Sequence, residues 1–556
     1  MSYTTVPVGI VGAGPVGLAC ALRLASFGIR SVILEADPVL RKAGSRACCI
    51  QGDVIEILDK VGCAEQIAAE GIAWHVARTY VRGEELSKTE FPRTGRFAPF
   101  INISQYRTQQ IMLERLNDGE LSEVLWSHRV TEVTQDAEGV SVSAETSDGP
   151  REMRFQYLIA CDGIHSEVRR LTGVEWTGYS HGDRFLITDI RANLPLAHER
   201  HFHFDPPFNP GRQLVMHAQP DNLWRIDWQL PPDTDIEQER RTNKLDERIR
   251  AVIGSIPYEI DWLSTYRFNQ RVVERLRDGR VFFAGDAAHA LPPYGARGMN
   301  SGIQDIDNLA WKLNLVLNGR ANDALLDSYH VERHAAAREN LRVTEATIRF
   351  MVPAHPLRRW LRNALLRIAP GLKFLRQHVN SGKMAEPYVY DDSPIVDRRG
   401  NQPLVGSLAP DGVVSLEGRR RRLRELFGAD FVGLFFANSA AEARPFVEQA
   451  LAEPNAVPVR MCVVLPPGDA ADDLASIATI VTDEDRQFHV TYSPRRPTWY
   501  LVRPDGHIAA ARELKYAGEF SDVLRRCADV LSGADAADPY ASASFTEREI
   551  SLTTMQ

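Results

Sequence analysis

Val6 to Val11 and the middle of Ser31-Val-Ile-Leu-Glu35 form two short unbroken apolar runs, and the segment 15–27 between them stays mostly apolar through several helical turns. Unbroken runs of this length suit buried strands, and a helix joining two of them predicts a strand–helix–strand unit in a parallel sheet. Further helices are expected at about 53–61 and 107–116. From 186 to 230 the pattern becomes short and alternating, as in Leu214-Val-Met-His217 and Leu223-Trp-Arg-Ile-Asp-Trp228, with Pro, Gly and Asp between the segments. That alternation predicts antiparallel strands. A helix over 236–253 and a buried strand at Val281-Phe-Phe-Ala284 follow. Ile303, Ile306, Ala310, Leu313 and Leu317 then mark one apolar helix face, with Asn300 or Ser301 as the cap and Gly319 as the stop. Beyond 387, Tyr388, Tyr390, Pro394 and Pro403 mark a linker, and strands at 431–436, 457–464 and 498–502 predict a third α/β unit.

Three of these strands end on glycine or aspartate. Gly12-Ala-Gly14-Pro15-Val-Gly17 is GxGxxG after a strand and at a helix start. Gly12 permits the tight turn, Gly14 leaves room for a pyrophosphate, Pro15 opens the helix and Gly17 lets it pack on the strand. The helix amides and dipole then face a diphosphate. Glu35, at the end of the second strand, is placed to accept a ribose hydroxyl. It would repel a 2′-phosphate, which leaves FAD or NAD at this site. Phe155-Gln-Tyr-Leu-Ile-Ala-Cys161 runs into Asp162-Gly163, and Val281-Phe-Phe-Ala284 into Gly285-Asp286. Ligands bind beyond such strand ends in a doubly wound sheet, although each pair alone is also an ordinary turn.

Together, and in this order over residues 5–350, these motifs resemble the class A flavoprotein monooxygenases, the para-hydroxybenzoate hydroxylase and phenol hydroxylase group. The resemblance implies an α/β fold, a Rossmann-like FAD-binding domain with an inserted antiparallel substrate domain. It puts Asp162-Gly163 near the FAD pyrophosphate and the nicotinamide cofactor, Gly285-Asp286 on the ribitol chain, and Gln105 and Arg46 on the cofactor. It brings the loop from Pro292 through Gly298 to the flavin, with the amides of Met299 and Asn300 toward its O2 atom. A helix start there would stabilise the anionic reduced ring. The implied reaction consumes NADPH or NADH and O2. It passes one oxygen, through a flavin C4a-hydroperoxide, to a small phenolic substrate.

Tyr294 and Arg297 are the candidate catalytic residues, with His289 as a proton shuttle. Pro293, Tyr294, His217 and Trp228 are the candidate substrate contacts, and Trp224 and Arg212 are further ones. Sheet packing or surface exposure is the plain alternative for the strand residues, and a hydrogen-bonded structural role for His289. Phenol hydroxylase has an aspartate near the flavin where Cys48 stands, so the base that deprotonates the substrate is unidentified. Cys48 and Cys49 read as wall residues.

The same resemblance divides the chain into an FAD-binding domain (1–75, 105–180 and 275–350), a substrate domain (76–104 and 181–274), a helical segment and linker (351–395) and a C-terminal domain (396–556). Leu501-Val-Arg-Pro-Asp-Gly506, with Ile508 and Arg512, is similar to the thioredoxin-like C-terminal domain of phenol hydroxylase. No CxxC accompanies it, which implies a structural or homodimerisation role rather than thiol exchange.

Composition narrows the remaining options. With 65 Lys and Arg against 73 Asp and Glu, the formal charge of −8 offers no field for nucleic acid or an anionic membrane. The tetrad Arg419 to Arg422, read as opening a helix, is therefore taken as a solvated face, and the basic helix over 357–376, which also invites a membrane-surface reading, as salt-bridged to acidic neighbours. Seven scattered cysteines suit a reducing, cytoplasmic setting and no metal ribbon. A second GxGxxG and a redox cysteine pair are both missing, unlike in disulfide reductases, and the halogenase signature WxWxIP is not matched. The loop after Pro292 resembles the 3-(3-hydroxyphenyl)propionate hydroxylase branch, so a small hydroxylated aryl acid is expected. The same chemistry on a bulky polyketide, and a flavin-binding protein without turnover, are the alternatives.

Overall fold

The computed structural model describes residues 6–528 apart from 42–46, 94, 181, 268, 293–294, 352–356, 358–359, 363, 365–385, 401, 453–456, 469–473 and 493–495. Arg46, Pro293, Tyr294 and most of the expected basic helix at 357–376 lie outside the described residues.

Val8, Ile10 and Ile33 are fully buried, as strands flanked on both faces require. Val6–Val11 pairs in parallel with Ser31–Leu34 on one side and Gly149–Ala160 on the other. Ser122–Leu125 and Val281–Phe283 extend the parallel sheet outward. Its register decides where the site lies. Val11 is level with Leu34 and Ala160, and Ala160 with Phe283. The glycine turn, Glu35, Asp162-Gly163 and Gly285-Asp286 therefore leave the sheet side by side at its carboxyl edge.

A seven-stranded sheet forms the roof, in the order Glu259–Tyr266, Arg184–Arg191, Leu223–Leu230, Gln213–Gln219, Arg200–Phe204, Val76–Val81 and Glu84–Glu90. It is antiparallel, as the alternation predicts, except where Arg200–Phe204 and Val76–Val81 run parallel. Trp224, Ile226, Trp228 and Leu230 point to one side, where they pack with Leu245, Ile249 and Ile253 of the helix Lys244–Ile253. The helix expected over 236–253 is two helices, Ile236–Arg241 and Lys244–Ile253, because Asn243 takes a left-handed conformation at φ 62°.

The C-terminal sheet places Phe431–Phe436 beside Val459–Leu465 in parallel and beside Thr498–Val502 antiparallel, with Ile508–Glu513 next to the latter. Arg419–Arg422 is an edge strand paired with Val413–Leu416, not a helix start. Three of the four arginines are exposed on this edge. Trp311, Leu315 and Leu325 share a core with Phe431 and Trp499, so this sheet is packed on the FAD-side helices. Among the described residues, no helix is long and apolar enough to cross a membrane.

Candidate active site

A cavity of about 770 Å³ opens between the carboxyl edge of the parallel sheet and the roof. Two helices begin on its wall. Pro15–Ser26 starts after Gly14, and Arg297–Leu317 starts after Ala296, which takes a left-handed conformation at φ 53°. Neither has a side-chain cap or an acidic residue in its first turn. An α-helix leaves its first N–H groups unsatisfied and carries positive potential there. Both sets of amides are thus left for an anion on the cavity wall.

The expected capping residue, Asn300, does something else. Its Oδ1 accepts the Gln51 N–H at 3.0 Å and its amide donates to the Cys49 carbonyl at 3.0 Å, which ties the strand Cys49–Gln51 to the helix start. Helical conformation begins four residues earlier than a cap at Asn300 implies, because the left-handed turn at Ala296 redirects the chain without any capping side chain.

The glycine turn fits a dinucleotide. Gly12 has φ +102°, and a Cβ there would stand 2.6 Å from the Cys161 carbonyl. Gly14 has nothing within 4 Å of where its Cβ would be, so the space above it is open. Glu35 orders the turn, accepting the Ala13 N–H at 2.7 Å and the Asp37 N–H at 2.8 Å. Asp162 Oδ2 accepts the N–H groups of Glu167 and Val168 at 2.8 and 3.1 Å, while Oδ1 is buried with no hydrogen-bond partner. Burial raises its pKa. An open cradle, two uncapped helix starts and an orphaned carboxylate oxygen along one sheet edge suit a long, doubly anionic, hydroxyl-bearing cofactor, the description of FAD. Gly163, Asp286, Pro292, Gly298 and Met299 line the same cavity, and so does Gln105, whose Oε1 accepts the Ala47 N–H at 3.1 Å.

The remaining expected residues divide. Arg297 lines the cavity and donates to Asn340, and burial lowers its pKa. His289 is fully buried and off the cavity wall. Its Nε2 pairs with Asp305 at 2.7 Å, and Arg333 holds the other oxygen of Asp305 at 2.7 Å. That supports the structural alternative over proton shuttling. Trp228 is a correction: it packs beneath Arg248 on the helix side of the roof, away from the cavity. Trp224 shares that core.

His217 does line the cavity, together with roof residues that the sequence reading passed over. Cross-strand pairing puts His217, Arg200 and Arg225 in one row, and Val215, Phe202, Asp227 and Ile187 in the next. Paired residues share a face. The cavity face of the roof is therefore half aromatic, with Phe185, Phe202, Phe204 and Tyr266, and half charged. Arg225 grips Asp189 with two hydrogen bonds of 2.8 and 2.7 Å. Burial pulls Arg200 down to about 10 and holds His217 well below the usual histidine range. Asp227, also buried, is pushed up to about 7. The signal was present in Leu223–Leu230, whose polar positions Arg225, Asp227 and Gln229 alternate with the tryptophans. Cys48 and Cys49 form the wall facing this patch, and burial pushes the Cys48 thiol up to about 12.

Residues 5–344 match the FAD binding domain family. The chain belongs to that family. It is 31% identical to a 12-dehydrotetracycline 5-monooxygenase/anhydrotetracycline 6-monooxygenase of Streptomyces rimosus, over 93% of this chain and 98% of the relative. It is 28% identical to a 3-(3-hydroxy-phenyl)propionate/3-hydroxycinnamic acid hydroxylase of Comamonas testosteroni, over 94% and 96%. The flavin-dependent monooxygenase PieE, solved with FAD and substrate, shares the fold at TM-score 0.79 and 22% identity, over 95% of this chain and 100% of that one. The enzyme is an FAD-dependent aromatic monooxygenase.

Proposed function

We propose that the enzyme uses NADPH or NADH and O2 to hydroxylate a phenol bearing a carboxylate side chain, a hydroxyphenylpropionate or similar aryl acid. In that reaction the phenol, O2, NAD(P)H and a proton give the hydroxylated phenol, water and NAD(P)+. FAD, when bound, supplies the redox chemistry, and the protein contributes position, polarity and exclusion of water. The observation that carries the reading is Arg200. Its guanidinium is buried on the cavity wall next to an aromatic patch. Burial weakens its hold on its proton but leaves it cationic at neutral pH, and a substrate carboxylate alongside would strengthen that hold. Phe185 and Tyr266 present ring faces against which a small arene packs. The two uncapped helix starts would stabilise negative charge on the cofactor's pyrophosphate and on its reduced ring.

A bulky polyketide substrate is the second reading, supported by the 31% identity to the tetracycline-modifying relative. A substrate panel of hydroxyphenylpropionates and anhydrotetracycline separates the two. The expected result is NAD(P)H consumption accelerated by the aryl acids, with hydroxylated product and little peroxide. Acceleration by the polyketide alone would overturn the aryl-acid reading, and acceleration by neither would favour flavin binding without turnover.

We also read the C-terminal sheet as a thioredoxin-like unit without thiol chemistry. Its strand order, Val459–Leu465, Phe431–Phe436, Thr498–Val502 and Ile508–Glu513, supports this. So do the buried thiols of Cys462 and Cys527, each pushed up to about 12.

A further inference from the structure

We propose that Asp227 accepts the proton of the substrate's phenolic hydroxyl, the role for which the sequence offered no residue. The inference rests on the phenol reading above and adds the group that activates the ring. Asp227 sits mid-strand in the roof, flanked across the ladder by Val215 and Ile187 and exposed to the cavity. Its Oδ1 is buried with no hydrogen-bond partner. A buried carboxylate oxygen without a donor costs stability unless something outside the chain donates to it, and a phenol O–H is such a donor.

The charges around it are defined. Arg225 is committed to Asp189 by its two hydrogen bonds, so it damps the field at Asp227 without occupying it. Arg200 lies in the next row, and His217 beside it is held uncharged by burial and then by Arg200 and Arg225. The Cys48 thiol lines the same cavity within electrostatic reach of Asp227 and stays protonated at neutral pH. Burial first, and Asp189 second, raise Asp227, while Arg225 and Arg200 lower it. The balance stands at about 7. A proton acceptor works best when its pKa lies close to the working pH. In the step, the phenol O–H bond breaks and a carboxyl O–H bond forms. The electron pair stays on the phenolic oxygen and enriches the ring carbons ortho and para to it, the carbons that take up oxygen. The proton returns to that oxygen when the product regains aromaticity.

Binding to the oxidised holoenzyme, read from the flavin absorbance, tests this without turnover. The probes are 3-(3-hydroxyphenyl)propionate and 3-phenylpropionate, which differ only in the hydroxyl, so the carboxylate contribution cancels. Above the Asp227 value of about 7, the hydroxylated acid is expected to bind roughly 10- to 100-fold tighter, as for a hydrogen bond to a charged group. That preference shrinks as pH falls and Asp227 protonates, and it collapses in Asp227→Asn, whose flavin spectrum verifies the fold. In turnover, Asp227→Asn is expected to lose about 10²- to 10⁴-fold in kcat and Asp227→Glu to recover part of it with a displaced pH profile. An equal hydroxyl preference in both proteins, a preference indifferent to pH, or a normal kcat in Asp227→Asn would overturn the proposal, the last pointing to His217. If neither acid perturbs the flavin, the aryl-acid reading has failed. The pair 1-naphthol and naphthalene, which carries no carboxylate, then decides Asp227 by the same comparison, and no preference for the naphthol overturns it.

Discussion

Gly14→Val is expected to yield folded but colourless protein. Gly14 precedes the first helix, and no atom lies within 4 Å of where its Cβ would project. A valine therefore meets no clash in the protein itself, and its backbone, at φ −67°, is one any residue adopts. What it fills is the cavity above the uncapped helix start, where the pyrophosphate needs contact with bare backbone. Loss of that contact should cost at least two orders of magnitude in FAD affinity, read as flavin absorbance per protein after purification and as Kd by titration. Thermal unfolding of the flavin-free form should be unchanged. A yellow Gly14→Val protein with normal Kd would move the pyrophosphate elsewhere.

Arg503→Ala is expected to detach the C-terminal sheet. Glu332, on the helix Asp327–Met351, is fully buried and meets Arg503, Lys312 at 2.8 Å and the Ser393 hydroxyl at 2.5 Å. Arg503 also holds Asp505, so four charges balance in a dry space. Removing one partner leaves a buried charge uncompensated, typically at about 3–5 kcal/mol. Limited proteolysis and thermal unfolding should show early loss of the C-terminal part, and unchanged unfolding would contradict the account. Acid should act on the same network. Burial pushes the Glu332 carboxyl up, but Arg503 and Lys312 outweigh it and hold it at about 2, below the ordinary 4.5. A depressed acid contributes stability that is complete above its unfolded pKa and is lost as pH falls toward the folded one. This contribution therefore fades between about 4.5 and about 2.

The strand ends were legible because each glycine or aspartate there answers a local backbone demand. The φ of Gly12 and the turn after Ala160 are written within a few residues. Which face of a strand meets a ligand is not local. The alternation in Leu223–Leu230 was plain, yet the tryptophans turned out to serve the helix Lys244–Ile253, and Asp227 the cavity. A large aromatic ring draws the eye, but burying it against a helix is where it stabilises most. His289 looked catalytic beside Gly285-Asp286, although its partner Asp305 lies two helical turns into Arg297–Leu317. Arg503 belonged to a recognised motif, but its meaning depends on Glu332, 171 residues away. Long-range pairing of buried charge leaves no periodic trace.

We propose that one FAD lies along the carboxyl edge of the parallel sheet, with its two anionic regions met by the helix starts at Pro15 and Arg297. Heat release of flavin from the purified wild-type protein, quantified by absorbance and identified by chromatography, measures it directly. FAD is expected in equimolar yield, or by uptake to that level when FAD is supplied. Protein that contains none and cannot be reconstituted would contradict it.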